Sequence, residues 1–144
     1  MASKRESVTT AVLELLTAAL PSAVVEREAD GQSAVPEAGH VVLRDRGSPE
    51  PERTIGAISY WHQRGFDIEV YASATDILDR FEAIDAMLVS IDAALSADRT
   101  IGGSVQGCEW SIEQTEDISD EGADTVRTAL VTLTCEYQTD TPLG

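Results

Sequence analysis

The chain has 144 residues, enough for one domain that needs neither disulfides nor a metal to bury its core. Twenty-six acids face ten bases, one Lys and nine Arg, giving a formal net charge of −16. That field repels phosphate backbones and anionic lipid, and no cluster of bases offers the counter-charge that nucleic-acid binding needs.

Ser3 and Glu6 have the spacing of a capping box, and Val8, Val12, Leu15, Leu16, Ala19 and Leu20 recur behind them at helical intervals until Pro21. The pattern predicts a helix over Lys4–Leu20. The start, Met1-Ala2-Ser3-Lys4-Arg5, is not followed by the apolar region of a secretion signal. No apolar run reaches about 18 residues, so a protein made in the cytoplasm and without a membrane span is expected. Ala23–Arg27 reads as a short strand, Asp30–Ala38 as a loop, His40–Arg44 as a second strand and Asp45–Arg53 as a loop rich in Pro and charge.

From Gly56 to Ala72 the apolar residues Ile58, Tyr60, Phe66, Ile68 and Val70 keep to even positions. A two- or four-residue hairpin loop would shift that parity. The segment is therefore one long strand or turns through an odd-length loop. As a single strand its seventeen residues would span about 56 Å, which implies a sharp bend or a projecting arm. His62 and Arg64, polar groups on the apolar parity, suggest where the core ends.

Ile77, Phe81, Ile84, Leu88, Ile91 and Leu95 predict a second helix facing the core along that stripe. Thr75 or Ser73 is the expected N-cap, and Asp76 can pair with Arg80 at i,i+4. Ser96–Gly103 reads as a turn, and Cys108, Trp110 and Ile112 as a strand. Thr115–Asp124 reads as an acidic loop. Thr125–Tyr137 is a last strand, alternating Ala129, Val131, Leu133, Cys135 and Tyr137 against polar residues. The expected order is α-β-β-β-(β)-α-β-β: an α+β domain over residues 1–137, its mainly antiparallel sheet carrying two amphipathic helices, with a flexible tail over 138–144.

No catalytic, cofactor or metal constellation stands out. Gly102-Gly103 lacks the spacing of a phosphate loop, His40 and His62 have no ligands at metal spacing, and no nucleophile elbow is present. Cys108 and Cys135 read as buried apolar residues, with a cross-strand disulfide as the alternative in an oxidising compartment. Two groups suit contacts with a partner: Trp61, His62 and Arg64, together with Tyr60, combine aromatic and basic character, and Arg44, Arg46 and Arg53 flank a loop. Core or surface roles explain both groups equally well.

The phrases Ala34-Val35-Pro36 to Leu43-Arg44-Asp45, Phe66-Asp67-Ile68-Glu69-Val70-Tyr71, and Ala97-Asp98-Arg99-Thr100-Ile101-Gly102-Gly103 behind an Ala-rich helix resemble tail terminator proteins of long-tailed phages and gene transfer agents, distantly related to the gpU-like terminators. The resemblance runs over nearly the whole chain in element order. It implies a mixed α/β virion protein of the tail and neck that acts without catalysis. Its expected partners are its own copies in a hexameric ring, the tail tube protein and a neck or head-completion (stopper) protein. The ring caps the tube, stops its polymerisation and joins tail to head, while DNA passes through without specific binding. Other head-tail connector proteins, a small acyltransferase-like enzyme and a cellular interaction module are the competing readings.

Overall fold

Ser3 opens the first helix, α1 (Lys4–Ala19), by accepting a 3.1 Å hydrogen bond from the backbone N–H of Glu6. The computed structural model describes residues 2–28, 39–56, 58–74, 76–118 and 126–144. The Glu6 carboxylate does not complete the expected box; it takes both terminal nitrogens of Arg27 on β1 (Val24–Arg27), tying the helix start to the sheet edge. Val8, Thr9, Val12 and Leu16 are the buried residues of α1, and Leu20 closes it as C-cap before Pro21. The loop expected at Asp30–Ala38 lies outside the described residues.

β1 runs parallel to β2 (His40–Gly47), which extends past the expected Arg44 through a register shift between Asp45 and Gly47. A strand end this charged is held because each charge finds a partner: Asp45 binds Arg64, and Arg46 lies 3.7 Å from Asp67. The expected Asp45–Arg53 loop also holds a two-residue strand, β3 (Glu52–Arg53), paired with Trp61 and Tyr60. The bracketed extra strand expected from a hairpin within Gly56–Ala72 does not form; β3 arises instead from a place that composition marks as a loop.

The parity of the central segment is that of one strand, β4 (Tyr60–Ser73). Its fourteen residues span about 46 Å. It does not project as an arm: every residue from Tyr60 to Ser73 has a partner on β6 (Val126–Thr139), and Gly65 to Tyr71 also pair with β2. What extends beyond the ladder is only the turn from β3 into β4. β5 (Gly107–Ile118) pairs with β6 and continues four residues into the stretch expected to be an acidic loop, after a bulge between Ile112 and Gln114. Charge misleads there because the two-strand ladder has an open face for Glu116, while Asp117 pairs with Arg127 at 3.3 Å. β6 likewise carries Gln138 and Thr139 beyond the expected strand end.

The sheet order is β1-β2-β4-β6-β5, mixed and mainly antiparallel, with β3 beside β4. Val41, Leu43, Phe66, Ile68, Val70, Val131 and Leu133 join the inner residues of both helices in one core cluster, so the fold is α+β as expected. The second helix, α2 (Ile77–Ala97), is rotated relative to its expected stripe. Asp76, not Thr75 or Ser73, is its N-cap, accepting from Leu78 N–H at 2.8 Å. Arg80, Ile84, Met87, Ile91 and Leu95 are buried, while Ile77 and Phe81 are exposed.

Two contacts explain the rotation. Arg80 lays its apolar stem against the core and donates to the Ala74 carbonyl at 2.7 Å, rather than standing on the surface for Asp76. Met87 packs onto Gly39, whose φ of +103° and lack of Cβ admit it; a Cβ there would lie 2.7 Å from the Met87 methyl. The displaced Phe81 lies under the Arg127 guanidinium at 4.1 Å.

This register predicts unequal costs along one helix. Ile84→Ala should lose about 3 kcal/mol of unfolding free energy, as core truncations do, and Phe81→Ala about 1 kcal/mol, the scale of a partly exposed cation–π contact. Denaturant unfolding of the two variants checks the order; a larger loss at Phe81 would restore the other stripe.

Candidate subunit-contact surfaces

The predicted contact residues fall into three environments. His62 and Arg64 share the even parity of β4 and point into the domain, where they are 5% and 2% exposed. They do not mark the end of the core; they extend it. Arg64 ion-pairs with Asp45, donates to the Arg5 carbonyl at 2.7 Å and lies over the Phe66 ring at 5.1 Å. His62 stacks on Tyr137 at 5.0 Å and meets the Thr139 hydroxyl at 2.7 Å through Nε2. Both are occupied by their own chain. The signal that separates them from surface groups was the parity itself.

Arg44, Arg46 and Trp61 lie on the opposite, helix-free face of the sheet. Arg44 Nε binds Glu69 at 2.6 Å, and Glu69 also accepts from the Tyr71 hydroxyl at 2.7 Å. Arg46 runs over Gly65 on its way to Asp67. Asp67, Glu69, Glu116 and Thr128 surround a shallow depression of about 230 Å³ on this face. Three carboxylates line it beside Tyr71, Ala129 and Leu130, and Arg44 and Arg46 pair with two of them, Glu69 and Asp67.

Arg53 stands apart on β3, exposed and without an ion-pair partner among the described residues. The turn that follows is closed by Thr54, whose N–H donates to the Ser59 carbonyl at 3.0 Å. Gly56 takes φ +103°, which a side chain resists, and Ile55 and Ile58 are held out in solvent on either side of it.

A second apolar feature lies at the far edge of the sheet. α2 and β5 leave between them a groove of about 240 Å³, lined by Leu88, Val89, Ile91, Trp110, Ile112 and Val131, with Asp85 and Asp92 at its rim. Trp110 is fixed there by an Nε1 bond to Asp92 at 2.8 Å and by Arg99, 4.7 Å above its ring. Val89 and Ile112 remain exposed. Neither the hairpin tip nor this groove was expected from the sequence. The visible signal at the tip was two isoleucines flanking a glycine inside a polar segment.

Burial disfavours thiolate chemistry at the two cysteines. Cys108 and Cys135 face each other across β5 and β6 as free, buried thiols. Burial pushes Cys135 up to about 12 and raises Cys108 as well, so both stay protonated at neutral pH. Among the described residues no group of three His, Cys, Asp or Glu could hold a metal ion.

No protein-family model matches the chain, and no curated protein does. Among solved structures, a chain of the "Virion of native gene transfer agent (GTA) particle" is similar at 17% identity, covering 88% of this chain and 92% of that one, with a TM-score of 0.34. A score that low carries no argument about role.

The Arg64 environment generates two predictions. Asp45→Asn leaves a buried guanidinium without its counter-charge; because Asp45 is itself 34% exposed, the expected loss is about 2–3 kcal/mol, below that of a fully buried pair, and Arg64→Met should cost less. Denaturant titration of the two variants decides this.

Protonation gives the second. Burial, with Arg5 adding, holds His62 below its ordinary 6.5 against the opposing bond to the Thr141 backbone, so the unfolded state binds the proton more readily. Stability from neutral His62 is therefore full above about pH 6.5 and falls as pH drops toward the depressed folded value. Asp45 adds a lower window: burial raises its pKa, but the Arg64 and Gly47 hydrogen bonds and the charges of Arg64 and Arg27 outweigh it. Its contribution is present above about 3.8 and is lost below. Unfolding midpoints should drop as pH falls below about 6.5, and His62→Gln should flatten that slope.

Proposed function

We propose that this chain is a structural subunit of a phage-like particle, a tail terminator whose copies close into a hexameric ring. The ring caps the tail tube, stops its growth and joins the tail to the neck through a head-completion protein. The observation that carries this reading is the open edge of the sheet. β5 presents twelve residues of strand with no neighbour on its outer side among the described residues, and it carries exposed Ile112, with exposed Val89 of α2 across the groove. A long edge beside uncovered apolar surface calls for a partner chain. The other edge, β1, has four residues, so the two sides of the subunit differ. Unlike sides meet heterologously, and heterologous contacts close into rings when the rotation allows.

The sequence resemblance names which ring. Its phrase Phe66–Tyr71 is the centre of β4, and Ala97–Gly103 is the end of α2 and its turn, where Asp98 accepts from the backbone N–H groups of Thr100 and Gly102. The net charge of −16 suits a passage that DNA crosses without binding. Within the predicted contact set, Arg53 and Trp61 are the members best placed for a neighbouring copy.

Cryo-electron microscopy of particles from cells with and without this gene tests the proposal. Six copies at the junction of tube and neck are expected, and without the gene tubes of irregular length that fail to join heads. Particles of normal tail length and attachment in the deletion would overturn the reading, as would density for the chain anywhere other than that junction.

A further inference from the structure

Ile55, the most exposed large apolar residue among the described residues, and exposed Ile58 sit in the β3–β4 turn, and a mainly apolar depression lies between α2 and β5. We propose that the hairpin tip of one copy, Ile55 and Ile58, seats in the α2–β5 groove of the next copy. This contact rests on the ring reading only for its closure; the two surfaces are defined without it.

The groove cannot be filled by its own hairpin. Tyr60, where the tip joins the sheet, is paired with Thr139, whereas the groove lies at the Trp110–Leu133 and Ile112–Val131 pairs. Those positions are six to eight residues away along β6, about 20–26 Å, and two strands to the side. The tip leads away from them. A hairpin tip seated in this groove must therefore come from another molecule, and a second copy has the matching chemistry.

Size and charge both fit. The groove, of about 240 Å³ and lined mainly by apolar side chains, is large enough to take the apolar tip. The rim carries Asp85 and Asp92, while the tip's base carries Arg53, a cation with no ion-pair partner among the described residues. Arg53 shares a sheet face with Tyr60, its partner across the ladder, and neighbouring Glu52 takes the other face. The cation is thereby offered on one side of the hairpin and the acid on the other. Because tip and groove are different patches, each copy can use both at once, so the contact propagates from copy to copy.

The test mixes two full-length single variants, Ile58→Cys and Val89→Cys, under mild oxidation. The native thiols, buried and protonated, stay out of the reaction. A disulfide-linked dimer should form from this mixture and not from Ile58→Cys with Val24→Cys, which places the thiol on the opposite edge. Adding Arg53→Glu to the Ile58→Cys chain should slow linkage. Ile58→Asp should weaken self-association about tenfold or more, since it puts a charge where an isoleucine would be buried.

Linkage no faster than the Val24 control overturns the contact. So does a ring, seen in particles, that persists with Ile58→Asp; that result leaves the ring reading intact. Selective linkage in a protein whose particles show no ring supports the contact and removes the ring reading instead.

Discussion

A strand of fourteen residues can lie in a folded chain only if its backbone groups are paired along its length, and β4 meets that condition with β6 on one side and β2 and β3 on the other. Everything else is arranged around this ladder. Alternation along β4 sends Phe66, Ile68, Val70 and Ala72 inward to meet both helices, and Asp67, Glu69 and Tyr71 outward into a polar face. The same alternation, continued toward Tyr60, carries His62 and Arg64 into the interior, where apolar packing alone would not admit them.

The domain accommodates those two groups by building around them. Asp45 supplies the counter-charge for Arg64, Arg5 a carbonyl, and Phe66 and Tyr137 aromatic surface for the arginine and the histidine. α1, β2, β4 and β6 all meet at this end, so one buried cation links the start of the chain to its last strand. Buried ion pairs of this kind add little net stability over apolar packing but are costly to break. Their consequence here is positional: they hold the base from which the β3–β4 hairpin extends.

Much of the architecture was legible. The helix starting at Ser3, the parity of β4 and the alternation of β6 each arise from local pattern and survive folding. Misreadings concentrate where charge was taken for exposure. Asp45 and Arg46 continue β2 and Asp117 continues β5 because Arg64, Asp67 and Arg127 on other strands receive their charge, Glu116 stays on an open face of the ladder, and Arg80 is buried on α2 with the Ala74 carbonyl as acceptor. The helical stripe of α2 failed for a related reason. Ile84, Ile91 and Leu95 were correct, but Met87 replaced Leu88 once Gly39 opened space beneath it. Of the residues predicted to make subunit contacts, Arg53 and Trp61 stayed outward, while His62 and Arg64 did not.

The sequence by itself determined the class of fold, the strong negative charge and the residues that alternate into the core, because periodicity and composition act over a few neighbouring positions. Tertiary structure decided which charged groups could be buried, which strand was left as an open edge, and where apolar side chains stayed uncovered. Those outcomes depend on register between segments up to 79 residues apart, as at Tyr60 and Thr139. A local pattern carries no information about which partner a strand will meet across the sheet.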